Sequence, residues 1–143
     1  CGGYIAGEQA LIDNLRYLAP GFLYSVGLAP PLAAAALTAL TILQKEPGRV
    51  KTLHERGQYF LEEAKRQQMD TGFSAGYAIT PLIVGSSLQA VRLSSQLLEQ
   101  GVHVQPILYP AVPEKQARLR FFLNVEHSTE ELRDSLIRLK GLC

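Results

Sequence analysis

Three observations predict an α/β fold built as a small open sheet backed by helices. From Pro47 onward the apolar spacing runs helix, strand, helix, strand, strand, helix. Residues 117–125 alternate in the manner of a strand, with Arg118, Arg120, Phe122 and Asn124 on one side and Leu119, Phe121, Leu123 and Val125 on the other. Residues 1–46, helical apart from a short opening strand, cannot build a domain alone. The 143-residue chain therefore divides into two parts, 1–46 and 47–143.

Each element has a local cause. Residues 3–6 read as a short glycine-flanked strand, and residues 8–18 as a helix with Leu11, Ile12, Leu15 and Leu18 on one stripe. Pro20-Gly21 stops that helix, leaving residues 22–25 extended. Pro30-Pro31 opens a helix to Lys45, whose leucines stand among so many alanines that another backbone is expected to pack closely on it. Pro47-Gly48 breaks the chain before a long amphipathic helix to Met69. Its buried stripe is Val50, Leu53, Gly57, Phe60, Leu61 and Ala64. Asp70-Thr71-Gly72 turns the chain into a strand over residues 78–84, where Pro81 points to an edge or a bulge. Gly85-Ser86-Ser87 caps a helix from Leu88 to Gln100, which Gly101 ends. Strands at 102–108 and 117–125 flank the loop Tyr109-Pro110-Ala111-Val112-Pro113. Ser128-Thr129-Glu130-Glu131 is a capping box that starts a last helix through Lys140, with acids first and bases later as the helix dipole prefers.

Composition narrows the function. Fourteen basic residues against thirteen acidic leave no excess of positive charge, and the six Tyr and five Phe are not interleaved with a basic stripe, which disfavours nucleic acid as a partner. The longest apolar run, residues 28–43, is broken by Pro30, Pro31, Thr38 and Thr41 and is too short to span a bilayer. Cys1 and Cys143 stand at opposite ends without CxxC or His/Cys spacing, so zinc and a disulfide framework are not indicated, and reduced thiols in a cytoplasmic protein are expected. The opening, Cys1-Gly2-Gly3-Tyr4-Ile5-Ala6-Gly7, has no initiator Met and reads as the start of a piece of a longer polypeptide. Apolar surface left bare by such a truncation predicts self-association.

A catalytic centre does not emerge from spacing. His54, His103 and His127 have no partner at ligand or triad spacing. Lys45, Lys51, Lys65, Lys115 and Lys140 fall on polar faces or in a loop, where nothing would lower a pKa for Schiff-base chemistry. Ser25 and the Ser94-Ser95 pair lack a base, and Gly2, Gly3 and Gly7 do not form a phosphate loop. What remains is Arg118 and Arg120, two guanidinium groups in an apolar strand. Such groups are costly unless an anion meets them, and their planar fork suits a carboxylate or phosphate. Either could instead pair with a nearby carboxylate such as Glu114 or Glu126. Arg120, one step deeper between Leu119 and Phe121, is the stronger candidate for a small anionic ligand.

Five segments in order, GGYIAG, LIDNLRYLAPGFLYS, LAPPLAAAALTAL, VHVQPILYPAVP and ARLRFFLNVEHSTEEL, resemble the α-oxoamine synthases. These are fold-type I, pyridoxal-phosphate-dependent acyltransferases that include 5-aminolevulinate synthase, 8-amino-7-oxononanoate synthase, glycine C-acetyltransferase and serine palmitoyltransferase. The resemblance implies that 47–143 is the small C-terminal domain, with a short, largely antiparallel sheet, and that 1–46 is the last strand and helices of the large cofactor domain. It implies condensation of an amino acid with an acyl-CoA, in a cytoplasmic homodimer. Arg120 would hold the amino acid's carboxylate. Ser25 would approach the cofactor phosphate of the neighbouring subunit, although Val26 and Gly27 stand where family members commonly carry hydroxyls. The family's cofactor lysine lies just ahead of the GGY segment, so no catalytic residue is expected in this chain. It should be inactive alone and hold pyridoxal phosphate poorly or not at all. A non-catalytic binding or assembly module derived from the same domain is the competing reading.

Overall fold

The computed structural model describes residues 3–143, and the chain divides into two units between Glu46 and Pro47. In the first unit α1 (Gln9–Leu18), α2 (Pro20–Leu23) and α3 (Pro30–Lys45) follow one another. None of the three carries a buried residue, and Leu37 of α3 is 66% exposed. Among the described residues of this unit no backbone packs closely on α3. Two local expectations change. Gly3 to Gly7 pair with no strand among the described residues, since a β-ladder needs a partner edge and none lies alongside. Pro20 starts α2 after α1 has ended at Leu18, so residues 22 and 23 are helical where an extended segment over 22–25 was expected. A fixed φ and a missing N–H suit proline to the first helical position as well as to a break.

The second unit holds α4 (Gly48–Arg66), β1 (Ile79–Gly85), α5 (Ser87–Glu99), β2 (Gln105–Ile107), a 3-10 turn (Glu114–Gln116), β3 (Ala117–Phe122) and α6 (Thr129–Leu142), in the order the sequence predicts. The sheet is three-stranded and antiparallel throughout, ordered β1-β3-β2. Both edge strands contain a proline, Pro81 in β1 and Pro106 in β2, and the central strand contains none. Proline cannot donate to a ladder, so this arrangement leaves β3 free to pair on both sides. β2 is three residues long where seven were expected.

Leu119 and Phe121 of β3 point into a core shared with Phe60 and Ala64 of α4, Leu93 and Leu97 of α5, and Leu136 and Leu139 of α6. The Phe60 and Phe121 rings meet at 5.1 Å between centroids. In α4 the buried stripe is Gly57, Phe60, Leu61 and Ala64, and Val50 at the helix start is exposed. Gly57 lets α4 lie against the backbone of Gly76 and Tyr77: a Cβ built there would stand 2.8 Å from the Tyr77 carbonyl oxygen. Ser128 caps α6 with the reciprocal pair of bonds its motif predicts, and Lys140 donates to the Gln67 carbonyl at 3.0 Å, tying α6 to the end of α4.

Candidate carboxylate-binding site

Because β3 is central and antiparallel to both neighbours, its outward side chains form rows with theirs. Directly opposed residues share a face. Arg120 lies between Pro81 and Gln105, and Arg118 between Ile83 and Ile107. Phe122 pairs with Ile79 at the end of the sheet, and both are about half exposed, at 56% and 49%. The face opposite the core is thus largely apolar, with two half-buried arginines set into it. The alternation read from the sequence holds through Leu123. Beyond it the strand ends, because the Asn124 side-chain oxygen accepts from the Glu126 and His127 amides and folds the chain into a turn.

The two arginines differ in what satisfies them. Arg118 bends back on its own approach segment, donating Nε to the Gln116 carbonyl at 2.9 Å and a terminal nitrogen to Gln116 Oε1 at 3.3 Å. Arg120 makes no hydrogen bond or ion pair with any described residue. Neither arginine pairs with Glu114 or Glu126, the carboxylates that offered an alternative. Glu114 is instead engaged by Ser87: Oε1 accepts from the Ser87 amide at 2.9 Å and Oε2 from its hydroxyl at 2.7 Å. These bonds, the hydroxyl's first, hold the Glu114 carboxyl below its ordinary value of 4.5. The Ser87 hydroxyl also accepts from the Tyr109 amide at 3.3 Å, fastening the start of the proline-rich loop to the N-terminus of α5. The Tyr109–Pro110 peptide is cis.

Beside Arg120 stands a pair that sequence spacing alone did not single out. The Gln105 amide nitrogen lies 2.8 Å from Nε2 of His103. The signal available was the spacing of two between them, which sets both on one side of an extended segment. His127, by contrast, accepts from the Asn124 amide at 3.4 Å through Nδ1, and His54 packs edge-on against Tyr77. A cleft of about 460 Å³ between residues 100–103, 121–123 and α6 is lined by His103 and His127 and does not include either arginine. Among the described residues no cluster of His, Cys, Asp and Glu could hold a metal ion, and no helix is long and apolar enough to cross a membrane.

Pyridoxal phosphate would need a lysine in a desolvated pocket and a cup of donors for its phosphate. All five lysines are exposed. Lys51 faces Glu55 and Lys140 faces the end of α4. The Ser25 hydroxyl donates to the Phe22 carbonyl at 3.0 Å within its own turn. These residues alone do not fit the cofactor.

The architecture, a short antiparallel sheet with helices on one face, is that of the small domain of fold-type I pyridoxal-phosphate enzymes. The chain belongs to the aminotransferase class I and II family, whose pattern matches residues 1–139. It is 42% identical over 135 residues to an 8-amino-7-oxononanoate synthase of Symbiobacterium thermophilum, covering 94% of this chain and 34% of that protein. Among solved structures, 8-amino-7-oxononanoate synthase from Francisella tularensis superposes with a TM-score of 0.76 at 22% identity, over 94% of this chain and 39% of that one. Serine palmitoyltransferase from S. paucimobilis, with a bound PLP–myriocin aldimine, gives 0.78 at 19% identity, over 91% and 33%. The α-oxoamine synthase resemblance read from the five sequence segments is thereby established, and the chain spans about a third of the length of these proteins.

Proposed function

We propose that this chain is part of a pyridoxal-phosphate-dependent acyltransferase of the α-oxoamine synthase type, which condenses an amino acid with an acyl-CoA. Within it Arg120 binds the amino acid's carboxylate. The observation that carries this reading is a half-buried guanidinium on the middle strand with no partner among the described residues. A charge so placed is stabilised by a ligand that brings the opposite charge in a planar, two-oxygen form. Residues 47–143 act as the small domain and 1–46 as the end of the large one. The cofactor supplies the carbanion chemistry, held by residues other than those of this chain, save for an approach of Ser25 to the phosphate across a cytoplasmic homodimer.

In this role the chain's residues orient and neutralise. The fork of Arg120 fixes the carboxylate, and Pro81 on its row has no side-chain donor or acceptor to compete for the charge. The apolar remainder of the face, Ile79, Ile83, Ile107 and Phe122, limits water around the ion pair and strengthens it. The test is steady-state turnover by the protein that carries this chain, with Arg120→Ala. Loss of a buried partner for a charge costs about 2–5 kcal/mol, so kcat/KM for the amino acid should fall by roughly thirtyfold or more, and by much less for the acyl-CoA. Unchanged amino-acid kinetics would remove Arg120 from the site.

A further inference from the structure

We propose that Gln105 is a second binding group for the same carboxylate, and that His103 is the residue that positions it. The inference rests on the reading of Arg120 given above and adds a group which that reading does not contain. Three observations meet here. Gln105 is the residue of β2 directly opposite Arg120, so the two side chains rise from one row on one face. Opposed residues of an antiparallel pair have Cβ atoms roughly 4.5–5.5 Å apart, a gap that one carboxylate bridges. Gln105 is exposed, and it forms no hydrogen bond with Arg120, so neither group satisfies the other.

Its amide is nevertheless not free to wander. The contact with His103 Nε2 at 2.8 Å commits one amide hydrogen to the ring when that nitrogen is the acceptor. The second hydrogen of the same nitrogen has no partner among the described residues. A carboxylate held by the guanidinium can take this N–H on an oxygen lone pair that the arginine leaves unused. The arrangement makes the cradle asymmetric, with a charged fork from the central strand and a neutral donor from the edge. The other neighbour of Arg120, Pro81, offers no such donor, so the second contact comes from the β2 side alone.

The experiment measures equilibrium binding of glycine and of L-alanine by calorimetry to the whole protein that carries this chain, alongside KM and kcat. Gln105→Leu should weaken binding of the better probe and raise its KM by roughly tenfold, the worth of one hydrogen bond to a charged group, with kcat retained. Gln105→Glu should abolish binding as fully as Arg120→Ala does, because the new carboxylate occupies the guanidinium. His103→Phe should give part of the Gln105→Leu effect, and His103→Asn should restore it by returning an acceptor. If Arg120→Ala weakens binding while Gln105→Leu and Gln105→Glu leave it unchanged, this inference is overturned and the arginine site stands. If Arg120→Ala has no effect, or the unsubstituted protein binds neither probe, the arginine site fails and this inference with it.

Discussion

Glu114 accepts both hydrogen bonds that Ser87 has to give, one from its amide at 2.9 Å and one from its hydroxyl at 2.7 Å, across 27 residues of sequence. The pair joins the turn before β3 to the first residue of α5, where an anion also favours the helix dipole. With Tyr109 donating to the same hydroxyl, the loop of residues 109–113 is closed at both ends onto one serine.

This pairing predicts acid sensitivity. The Glu114 carboxyl lies below 4.5 because of the Ser87 hydroxyl first and the Ser87 amide second, and the Glu131 carboxyl lies below 4.5 because of the Ser128 amide and then its hydroxyl. A folded-state pKa depressed below the unfolded value contributes stability that is present above the unfolded pKa and lost as pH falls through the folded one. The melting temperature of Glu114→Gln should therefore lie below that of the wild type by a constant gap between about pH 5 and 7, and the gap should close below about pH 4.5. Thermal melts by circular dichroism across that range give the answer. A gap that persists undiminished in acid would mean the carboxylate charge is not what Ser87 holds.

Gly57→Ala sets a helix preference against a steric limit. Alanine is favoured over glycine in a helix interior by about 1 kcal/mol. The added Cβ, however, would lie 2.8 Å from the Tyr77 carbonyl oxygen and 2.9 Å from the Gly76 carbonyl carbon, both backbone atoms. Overpacking costs about 1–3 kcal/mol, and backbone cannot step aside as a side chain can. The net effect expected in urea unfolding is destabilisation.

Thr80→Val should act in the opposite sense. Thr80 on β1 has no exposed surface, and its hydroxyl has no hydrogen-bond partner among the described residues. Replacing an unsatisfied buried hydroxyl by a methyl group of the same shape removes a desolvation penalty of about 1–3 kcal/mol. An increase of about 1 kcal/mol in unfolding free energy is the expected outcome. A decrease would indicate that the hydroxyl is satisfied in solution.

The 143-residue chain alone should show no turnover of amino acid and acyl-CoA, and titration with pyridoxal phosphate should give no saturable visible absorbance band. All five lysines are exposed, so none stands in a pocket that excludes water. A saturable band would mean that one of them is competent.

Much of the second unit was legible because its signals are local. The stripe of α4, the caps at Ser86 and Ser128 and the alternation around Arg120 each lie within a few residues of sequence, and the structure reproduces them. Pro81 even announced one edge of the sheet. What was not legible depends on distant partners. Ser87 meeting Glu114, and Gln105 standing opposite Arg120, are consequences of chain crossing and register. Residues 22 and 23 failed for another reason: proline carries the same fixed φ into a helix start and a helix stop, and the neighbouring residues did not decide between them. The opening segment read as a strand from composition, but composition cannot supply the partner that a strand requires.

Rooting the guanidinium on the inner rail of a three-rail ladder has a mechanical outcome. Margins fray first when a sheet breathes, and the middle strand is the last to loosen. The stem of residue 120 is clamped from left and right, so its origin should stay put while the rest of the sheet fluctuates. Amide exchange slowest along residues 118–121 would be the visible trace of that steadiness.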